Sequence, residues 1–194
     1  MEVALQQLRA LTDGVSPLPE ADWAAFAALW QPFRAGRKEV LTRIGGPELY
    51  LYFVTEGVQR VYYFDDQGRE ATLVFTYTPS FGGVLDAMML QQPSRYAYET
   101  LTASAFLRAP YREVEQLMQT SHAVETMVRK GLAAALSGLL ERLAEVQCYS
   151  SADKFRKLLQ RSPHILQLVP HKYLANYLGI DPTNFSKLLH TVRI

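Results

Sequence analysis

Apolar and polar residues follow different spacings along the chain, and each spacing predicts a different kind of element. Apolar residues recur at helical intervals in 3–11 and 20–30. Residues 38–109 instead form short runs rich in Val, Thr, Tyr and Phe, which Gly, Pro and Asp interrupt. Helical spacing then returns in three segments, at 111–119, 123–147 and 153–160. The pattern predicts an α+β protein, in which helices flank an antiparallel β-domain that forms a roll or a barrel.

A β-hairpin is predicted inside this β-domain. Two strand-like runs, 58–64 and 70–77, flank the segment 65–68, which has the composition of a turn. Glycine adopts the positive φ angles that tight turns need, so Gly57 and Gly68 are expected in turns.

The segment 123–147 carries a continuous apolar stripe along one side of a long predicted helix. Small residues at 133–135 and at Gly138 would let a second helix approach closely. Such a stripe is typical of a helix that pairs with a second copy of itself, whereas packing onto its own domain is the alternative. We expect a homodimer. The residues expected in its seam are Val124, Met127, Val128, Leu132, Ala135, Leu136, Leu139 and Leu143.

The most specific local pattern lies at 171–191 and predicts a helix-turn-helix. A short helix follows Pro170, Gly179 ends it, and Asp181 is placed to cap a second helix that begins at once. The small Ala175 lets the two helices cross closely, and apolar residues fall where they bury the back of the second helix. An αα-hairpin with a glycine turn also occurs in proteins that do not bind DNA.

If this motif binds DNA, the front of the second helix enters the major groove. Asn184 suits an adenine edge, and Lys187 suits guanine or a phosphate. A solvated polar face is the alternative for each of these side chains. The residues expected to contact DNA are Lys172, Thr183, Asn184, Ser186, Lys187 and His190.

The formal charge of the chain is only +1, but the charge is unevenly distributed. Residues 1–149 hold 13 Lys and Arg against 17 Asp and Glu, whereas residues 150–194 hold 7 against 2. A basic segment that contains a helix-turn-helix favours double-stranded DNA as its partner, with a solvated basic surface as the alternative.

Composition excludes several functional classes. Cys148 is the single cysteine, so one chain cannot form an internal disulfide, a four-cysteine zinc site or a cysteine-ligated iron–sulfur cluster. The four histidines lack the i, i+4 spacing of helical metal ligands, and no metal site is predicted. We find no nucleophile–base pairing, paired carboxylates or phosphate loop, and do not expect an enzyme. No apolar run is long enough for a bilayer and no signal sequence opens the chain, so we expect a cytoplasmic protein without membrane contact.

Nearly the whole chain resembles the Crp/Fnr family of transcription regulators. The resemblance is carried by LYLYFVTEGVQRV at 49–61, DQGRE at 66–70, FGG at 81–83, PSR at 93–95 and the helix-turn-helix at 170–189. It implies a cyclic-nucleotide-binding β-roll, a long dimerisation helix, and a winged helix-turn-helix that binds palindromic DNA as a homodimer. RNA polymerase is a candidate further partner.

The resemblance divides the chain into three parts. Residues 1–120 correspond to a cyclic-nucleotide-binding-like sensor domain, 121–149 to the dimerisation helix and linker, and 150–194 to the helix-turn-helix domain. The chain ends at Ile194, soon after the second helix of the motif, so we expect no complete wing.

The expected ligand pocket departs from the family pattern at two charged positions. Nucleotide-binding members hold the ribose with a glutamate after Phe81-Gly82, where this chain has Gly83. The phosphate-binding arginine falls on Ser94, with Arg95 displaced by one residue and directed to the other face unless a one-residue gap restores it. Loss of both charge-assisted contacts argues against cyclic AMP. We expect another small-molecule effector or none.

Two functions follow from these observations. The first is a homodimeric, sequence-specific DNA-binding regulator. The alternative is a degenerate family member that dimerises and binds a small ligand or a protein partner without binding DNA specifically. Salt-dependent binding to a palindrome distinguishes them.

Overall fold

The computed structural model of the chain describes residues 1–191. Its helices are α1 Glu2–Val15, α2 Glu20–Ala28, α3 Leu85–Leu90, α4 Tyr111–Thr120, α5 His122–Cys148, α6 Ser151–Arg161, α7 Ile165–Leu168, α8 His171–Leu178 and α9 Pro182–Thr191. Its strands are β1 Gln31–Ala35, β2 Val40–Thr42, β3 Tyr50–Glu56, β4 Val58–Phe64, β5 Glu70–Tyr77, β6 Ser80–Gly82, β7 Ala97–Thr100 and β8 Ser104–Pro110.

The strands form two four-stranded antiparallel sheets, with strand orders β1-β8-β3-β6 and β2-β7-β4-β5. The predicted hairpin is present, because β4 pairs with β5 from Val58 opposite Tyr77 to Phe64 opposite Glu70. Gly57 has a φ of 88° at the turn between β3 and β4, where a Cβ atom would collide with the backbone beside Ser104. The expected antiparallel β-roll is therefore confirmed.

A buried apolar cluster lies between the two sheets. Its members come from both sheets and from the segment that leads into α3, and they are Ala35, Tyr52, Val54, Val61, Val84, Ala87, Tyr98 and Phe106. A second cluster forms where α1, α2, α4 and the start of α5 cover the outer side of the sheet β1-β8-β3-β6. It includes Leu8, Trp23, Phe26, Phe53 and Val124. Burial of these faces fixes the helices on the β-roll.

The long helix α5 leaves the sensor domain and reaches the helix-turn-helix domain. Ser121 caps its start by accepting a hydrogen bond from the Val124 amide at 3.2 Å. Near its other end, the Arg142 guanidinium lies 4.1 Å from the centre of the Tyr177 ring and donates to the Tyr177 carbonyl. Glu145 accepts a hydrogen bond from Arg161 at 2.7 Å. One rigid element therefore contacts both domains.

The C-terminal helices share a third apolar cluster, which also includes Val58 and Leu101 of the sensor domain. The predicted divisions after residues 120 and 149 fall at helix ends, yet this cluster joins the first part of the chain to the third. Three elements differ from expectation: β1 precedes the start of the predicted β-domain at residue 38, and α3 and α7 were not predicted. Both helices are too short, at six and four residues, for a helical period to be recognised.

Candidate nucleic-acid interface and ligand pocket

The helix-turn-helix forms as predicted from α8, a glycine turn and α9. Gly179 has φ 63° and ψ 38°, the left-handed conformation that lets the chain leave α8 sharply. The Asp181 carboxylate accepts hydrogen bonds from the amides of Thr183 at 2.8 Å and Asn184 at 3.2 Å. This cap satisfies free amides at the start of α9 and fixes the direction in which the helix leaves the turn.

The back of α9 is buried against α6 and α8. Phe185 is 1% exposed and its ring meets that of Phe155 edge-on, with 5.4 Å between the centroids. Leu188 is buried beside it, and Ala175 of α8 is buried where the helices cross. These contacts hold the front of α9 outward.

The front of α9 carries the residues that the sequence assigns to DNA contact. Thr183, Asn184, Ser186, Lys187 and His190 are all exposed, so the structure brings them together on one free surface. Ser186 donates its hydroxyl to the Pro182 carbonyl at 3.1 Å, which leaves its oxygen as an acceptor. The last residues, 192–194, and with them the question of a wing, lie outside the described residues.

Lys172 is exposed but lies away from α9, in the first turn of α8. Its ammonium group is 4.7 Å from the centre of the Tyr173 ring. Lys172 also contributes to lowering the pKa of Glu70, after the hydrogen bond from Arg60, so it lies near a carboxylate of the sensor domain. Lys172, which is expected to contact a DNA phosphate, therefore lies at the boundary between the two domains.

The face of α8 opposite the turn packs on the sensor domain through polar contacts that the sequence did not predict. The Asn176 amide group bonds to the backbone of β5, and the Tyr173 hydroxyl bonds to Lys38. The Arg60 guanidinium lies 4.2 Å from the centre of the Tyr173 ring. A buried arginine on a strand and a tyrosine on a helix have no sequence signature that pairs them, because only the fold brings them together.

Side chains of the chain itself lie against the segment 81–83, where the ligand pocket is expected. Phe81 is half-buried and packs in the cluster beneath the helices, while Gly82 and Gly83 are buried. A Cβ atom at Gly82 would collide with the Tyr98 hydroxyl. Tyr98 is completely buried, and its hydroxyl lies 2.9 Å from the Thr76 hydroxyl. An aromatic side chain therefore lies against the backbone segment that the sequence resemblance assigns to the ligand pocket.

A buried carboxylate lies beside the same segment. Glu48 is 3% exposed and accepts hydrogen bonds from the Val84 amide at 3.1 Å and from the Thr42 hydroxyl. Burial raises its pKa, although its hydrogen bonds from Thr42 and from backbone amides oppose that shift. Its nearer oxygen is 3.5 Å from the place where a Cβ of Gly83 would stand. When ionised, this group repels an anionic ligand.

Ser94 and Arg95, the two candidates for phosphate binding, are not placed to bind one phosphate together. Ser94 is 2% exposed, and its hydroxyl bonds to both the carbonyl of Tyr96 at 2.6 Å and the amide of Tyr96 at 3.1 Å. Arg95 is exposed. Around this segment, Tyr98 therefore lies against Gly82, the Glu48 carboxylate lies beside Gly83, and Arg95 is on the surface.

The residues assigned to the dimer seam divide into two groups. Val124 and Met127 are buried in the sensor core, and Val128 packs against that core, so these three contact their own domain. The predicted place of the fully covered Val124 and Met127 in a seam is therefore corrected, whereas that of the half-buried Val128 stays a prediction. Leu132 is half-buried, and Ala135, Leu136, Leu139 and Leu143 are exposed. The apolar stripe therefore changes its partner along the helix.

Residues 32–121 match the family profile of the cyclic nucleotide-binding domain. No curated protein matches the sequence significantly. No group of His, Cys, Asp and Glu suited to a metal ion occurs within residues 1–191, and no helix in that range is long and apolar enough to cross a membrane.

Solved structures resemble the fold over most of its length. FixK2 from Bradyrhizobium japonicum matches with a TM-score of 0.74 and 16% identity over 83% of each chain. The c-di-GMP-responsive global regulator CLP from Xanthomonas campestris has a TM-score of 0.67 and 18% identity, covering 89% of this chain and 90% of that one. A protein from Eubacterium rectale, described as a transcriptional regulator of the Crp/Fnr family, matches with a TM-score of 0.69 and 18% identity. The match covers 89% of this chain and 82% of that one. The second and third of these proteins are described as regulators, and the likeness of all three to this chain is one of fold.

Proposed function

Because the chain carries a cyclic nucleotide-binding domain within the fold of Crp/Fnr regulators, we propose that it is a homodimeric, sequence-specific DNA-binding transcription regulator. It would act in the cytoplasm, and RNA polymerase is a candidate partner at the promoter. We propose further that its sensor domain does not take cyclic AMP in the usual way.

The observation that carries DNA binding is the exposed front of α9. Five polar side chains project from a helix whose back is buried and whose start is capped by Asp181. A helix held in this way can enter the major groove as a rigid reader. The surrounding segment is basic, with 7 Lys and Arg against 2 Asp and Glu in residues 150–194, which favours approach to phosphates.

Each side chain on this face has a role that its chemistry allows. Asn184 presents an amide that can pair with both polar atoms of an adenine edge, and Lys187 can donate to guanine or to a phosphate. Thr183 and Ser186 can reach either kind of group, as can His190. Lys172 would contact the DNA backbone and set the position of the motif rather than read bases.

The exposed half of α5 supports dimerisation. Leu136, Leu139, Leu140 and Leu143 are between 51% and 58% exposed, and Val146 is 41% exposed. A row of leucines in water is unfavourable, since burying each one contributes about 1.5–3 kcal/mol. A second copy of α5 would cover this row, and we assign the seam to residues 132–146 on that side of the helix.

The filled pocket supports a regulator that works without cyclic AMP. Tyr98 lies where the nucleotide would need space, and Glu48 places a carboxylate where the nucleotide would need a positive or neutral group. The CLP protein, which shares the fold, is described as responsive to c-di-GMP, so a regulator of this fold can answer to a different signal. A small-molecule effector other than cyclic AMP, or no effector at all, is therefore consistent with this chain.

The test is selection of bound sequences from a random duplex pool by the purified protein without added ligand. We expect an enriched palindrome whose binding weakens linearly on a log scale as salt rises. Lys187→Ala should lower affinity by about 1–3 kcal/mol if Lys187 reads a base. Lys130→Ala, which removes an exposed lysine of α5 far from α9, serves as the control and should leave affinity unchanged.

The alternative function would appear as a specific pattern of results. A dimer that enriches no sequence, with or without ligand extracts, would contradict the proposal and favour a sensor that binds a small ligand or a protein partner. Loss of binding in Lys187→Ala for all sequences alike would assign Lys187 to phosphate rather than to a base.

A further inference from the structure

We propose that Tyr173 and Asn176 form a latch that fixes the helix-turn-helix domain on the sensor domain in the orientation that binds DNA. The proposal rests on the proposed function for its DNA readout, but the latch itself can be measured without DNA. It assigns to two residues of α8 a positioning role, separate from any contact with DNA.

Asn176 closes the free edge of a β-sheet. The strand order β2-β7-β4-β5 leaves β5 without a partner strand on its outer side. The Asn176 side-chain oxygen accepts from the Thr72 amide at 2.5 Å, and its nitrogen donates to the Glu70 carbonyl at 2.7 Å. Because the amide group offers one acceptor and one donor, it takes the place that a peptide group of a further strand would take.

Tyr173 connects the same helix to two cationic side chains of the sensor domain, the exposed Lys38 and the buried Arg60. The Lys38 ammonium donates to the Tyr173 hydroxyl at 2.6 Å and lies 3.0 Å from Glu99. Burial raises the pKa of Tyr173, but the hydrogen bond from Lys38, the neighbouring Lys172 and the positive charges of Lys38 and Arg60 together lower it. The ring of Tyr173 also covers the Arg60 guanidinium at 4.2 Å.

Arg60 makes this contact rigid. It is 3% exposed and bonds to Glu99 at 2.6 Å and to Glu70 at 2.6 and 3.0 Å. A buried guanidinium needs all of these partners, because leaving one charge uncompensated is strongly destabilising. Glu70 therefore joins both halves of the latch, through its side chain to Arg60 and through its carbonyl to Asn176.

Apolar contacts add to the polar ones along the same boundary. Val58 and Leu101 are each 2% exposed in the cluster that fills the helix-turn-helix domain. The rings of Phe75 and Tyr177 lie 5.1 Å apart across the boundary. Two directional side chains on an apolar contact of this kind select one orientation among those that apolar packing alone would permit.

The latched orientation is compatible with DNA binding, because it leaves the reading face uncovered. None of Thr183, Asn184, Lys187 or His190 is buried by the sensor domain in the part of the chain that the structure describes. Holding the two motifs of a dimer in a fixed orientation lowers the entropy lost on binding two half-sites. If the latch opens, only the latched fraction binds, and the apparent Kd rises in proportion.

The first measurement is amide hydrogen exchange of Thr72 in the full-length protein. Asn176→Asp keeps the acceptor but places a second oxygen against the Glu70 carbonyl, so it should open the polar contact without a change in size. Exchange at Thr72 should accelerate at least about tenfold, which corresponds to a tenfold rise in the ratio of the open to the closed state. Gln160→Glu adds the same charge on an exposed part of α6 and should leave the exchange unchanged.

The second measurement is affinity for the duplex that the wild type enriches. Asn176→Asp and Tyr173→Phe should each raise the apparent Kd, by about tenfold if the latched fraction falls to one-tenth. Tyr63→Phe, which removes a hydroxyl from a 39% exposed tyrosine of the hairpin, is the matched control for Tyr173→Phe. Thermal melting of each variant separates loss of the latch from loss of the fold.

Three outcomes would overturn the proposal. Unchanged exchange at Thr72 in Asn176→Asp would mean that Asn176 does not hold the domains together. Faster exchange with tighter DNA binding would make the contact inhibitory, and faster exchange with unchanged DNA binding would remove its role in positioning. If the wild type binds no duplex, the proposed function fails, and the exchange experiment still decides whether the latch exists.

Discussion

Burial of the Glu48 carboxyl group makes the stability of the protein depend on pH. Its carboxyl group is buried beside the segment 82–84, and it satisfies two donors there, the Val84 amide and the Thr42 hydroxyl. Burial raises its pKa above the ordinary value of 4.5. The folded protein therefore binds a proton at Glu48 more tightly than the unfolded chain does, and the contribution of this residue to stability depends on pH.

The prediction at this scale is a pH dependence that Glu48→Gln removes. The contribution of Glu48 is fully present below pH 4.5 and is lost as the pH rises through the raised pKa of the folded state. Urea unfolding of wild type and variant from acid to neutral pH should show the wild type losing stability relative to Glu48→Gln. Glu113→Gln, which changes an exposed glutamate of α4, should run parallel to the wild type. A constant difference between wild type and Glu48→Gln would show that Glu48 has an ordinary pKa.

At the scale of the element, α5 shows both the use and the limit of periodicity. Its apolar stripe correctly predicted one long helix, which the structure places at His122–Cys148. Periodicity could not predict what covers the stripe. Met127 and Leu139 belong to the same stripe, yet Met127 is 3% exposed and Leu139 is 51% exposed. The difference arises from α1, α2 and α4, which cover only the first part of α5.

The corresponding prediction concerns oligomeric state. Placing two glutamates in the exposed row, with Leu139→Glu and Leu143→Glu together, would bury charges at the proposed seam, which is strongly unfavourable. Sedimentation should show the wild type as a dimer and the double variant as a monomer with unchanged helix content. Leu90→Glu introduces a charge at a leucine that is 64% exposed on α3, so it should remain dimeric. A double variant that is still a dimer would move the seam elsewhere.

The whole molecule is joined by the apolar cluster that the two domains share. Leu101 lies between β7 and β8 in the sensor domain, but it is 2% exposed in the same cluster as Phe155, Leu174 and Phe185. Domains that share buried side chains lose stability together when one of those side chains is shortened. Folding of the two parts is therefore expected to be cooperative.

Leu101→Ala tests this cooperativity. Truncation of a buried leucine should cost about 2–5 kcal/mol in the free energy of unfolding. Hydrogen exchange should then accelerate in α6 and α8 as well as in the strands, with one common unfolding transition. Leu90→Ala, at an exposed leucine, should change stability by less than about 0.5 kcal/mol. Accelerated exchange in the strands alone would show that the helix-turn-helix domain is stable independently.

The sequence predicted best what is local in the chain. The helix-turn-helix followed from residues close together, such as the turn at Gly179 and the cap at Asp181, because their chemistry determines backbone geometry directly. The contact between Lys38 and Tyr173 joins residues 135 positions apart, and nothing in either neighbourhood specifies the other. The pocket lies between these cases: the sequence showed that two charged groups were missing, but only the fold revealed that Tyr98 lies against Gly82.

The position of α5 gives the molecule a lever. Its 27 residues span about 40 Å, with the first turns fixed in the sensor core and the last turns bonded to α6 and α8. Rotation of such a rod by about 5° at its base displaces the far end by about 3.5 Å. That distance is close to the rise of about 3.4 Å between successive base pairs. If the contacts of α8 with β5 were released, a small rotation at the base of α5 would therefore displace the C-terminal helices by about the length of one base-pair step.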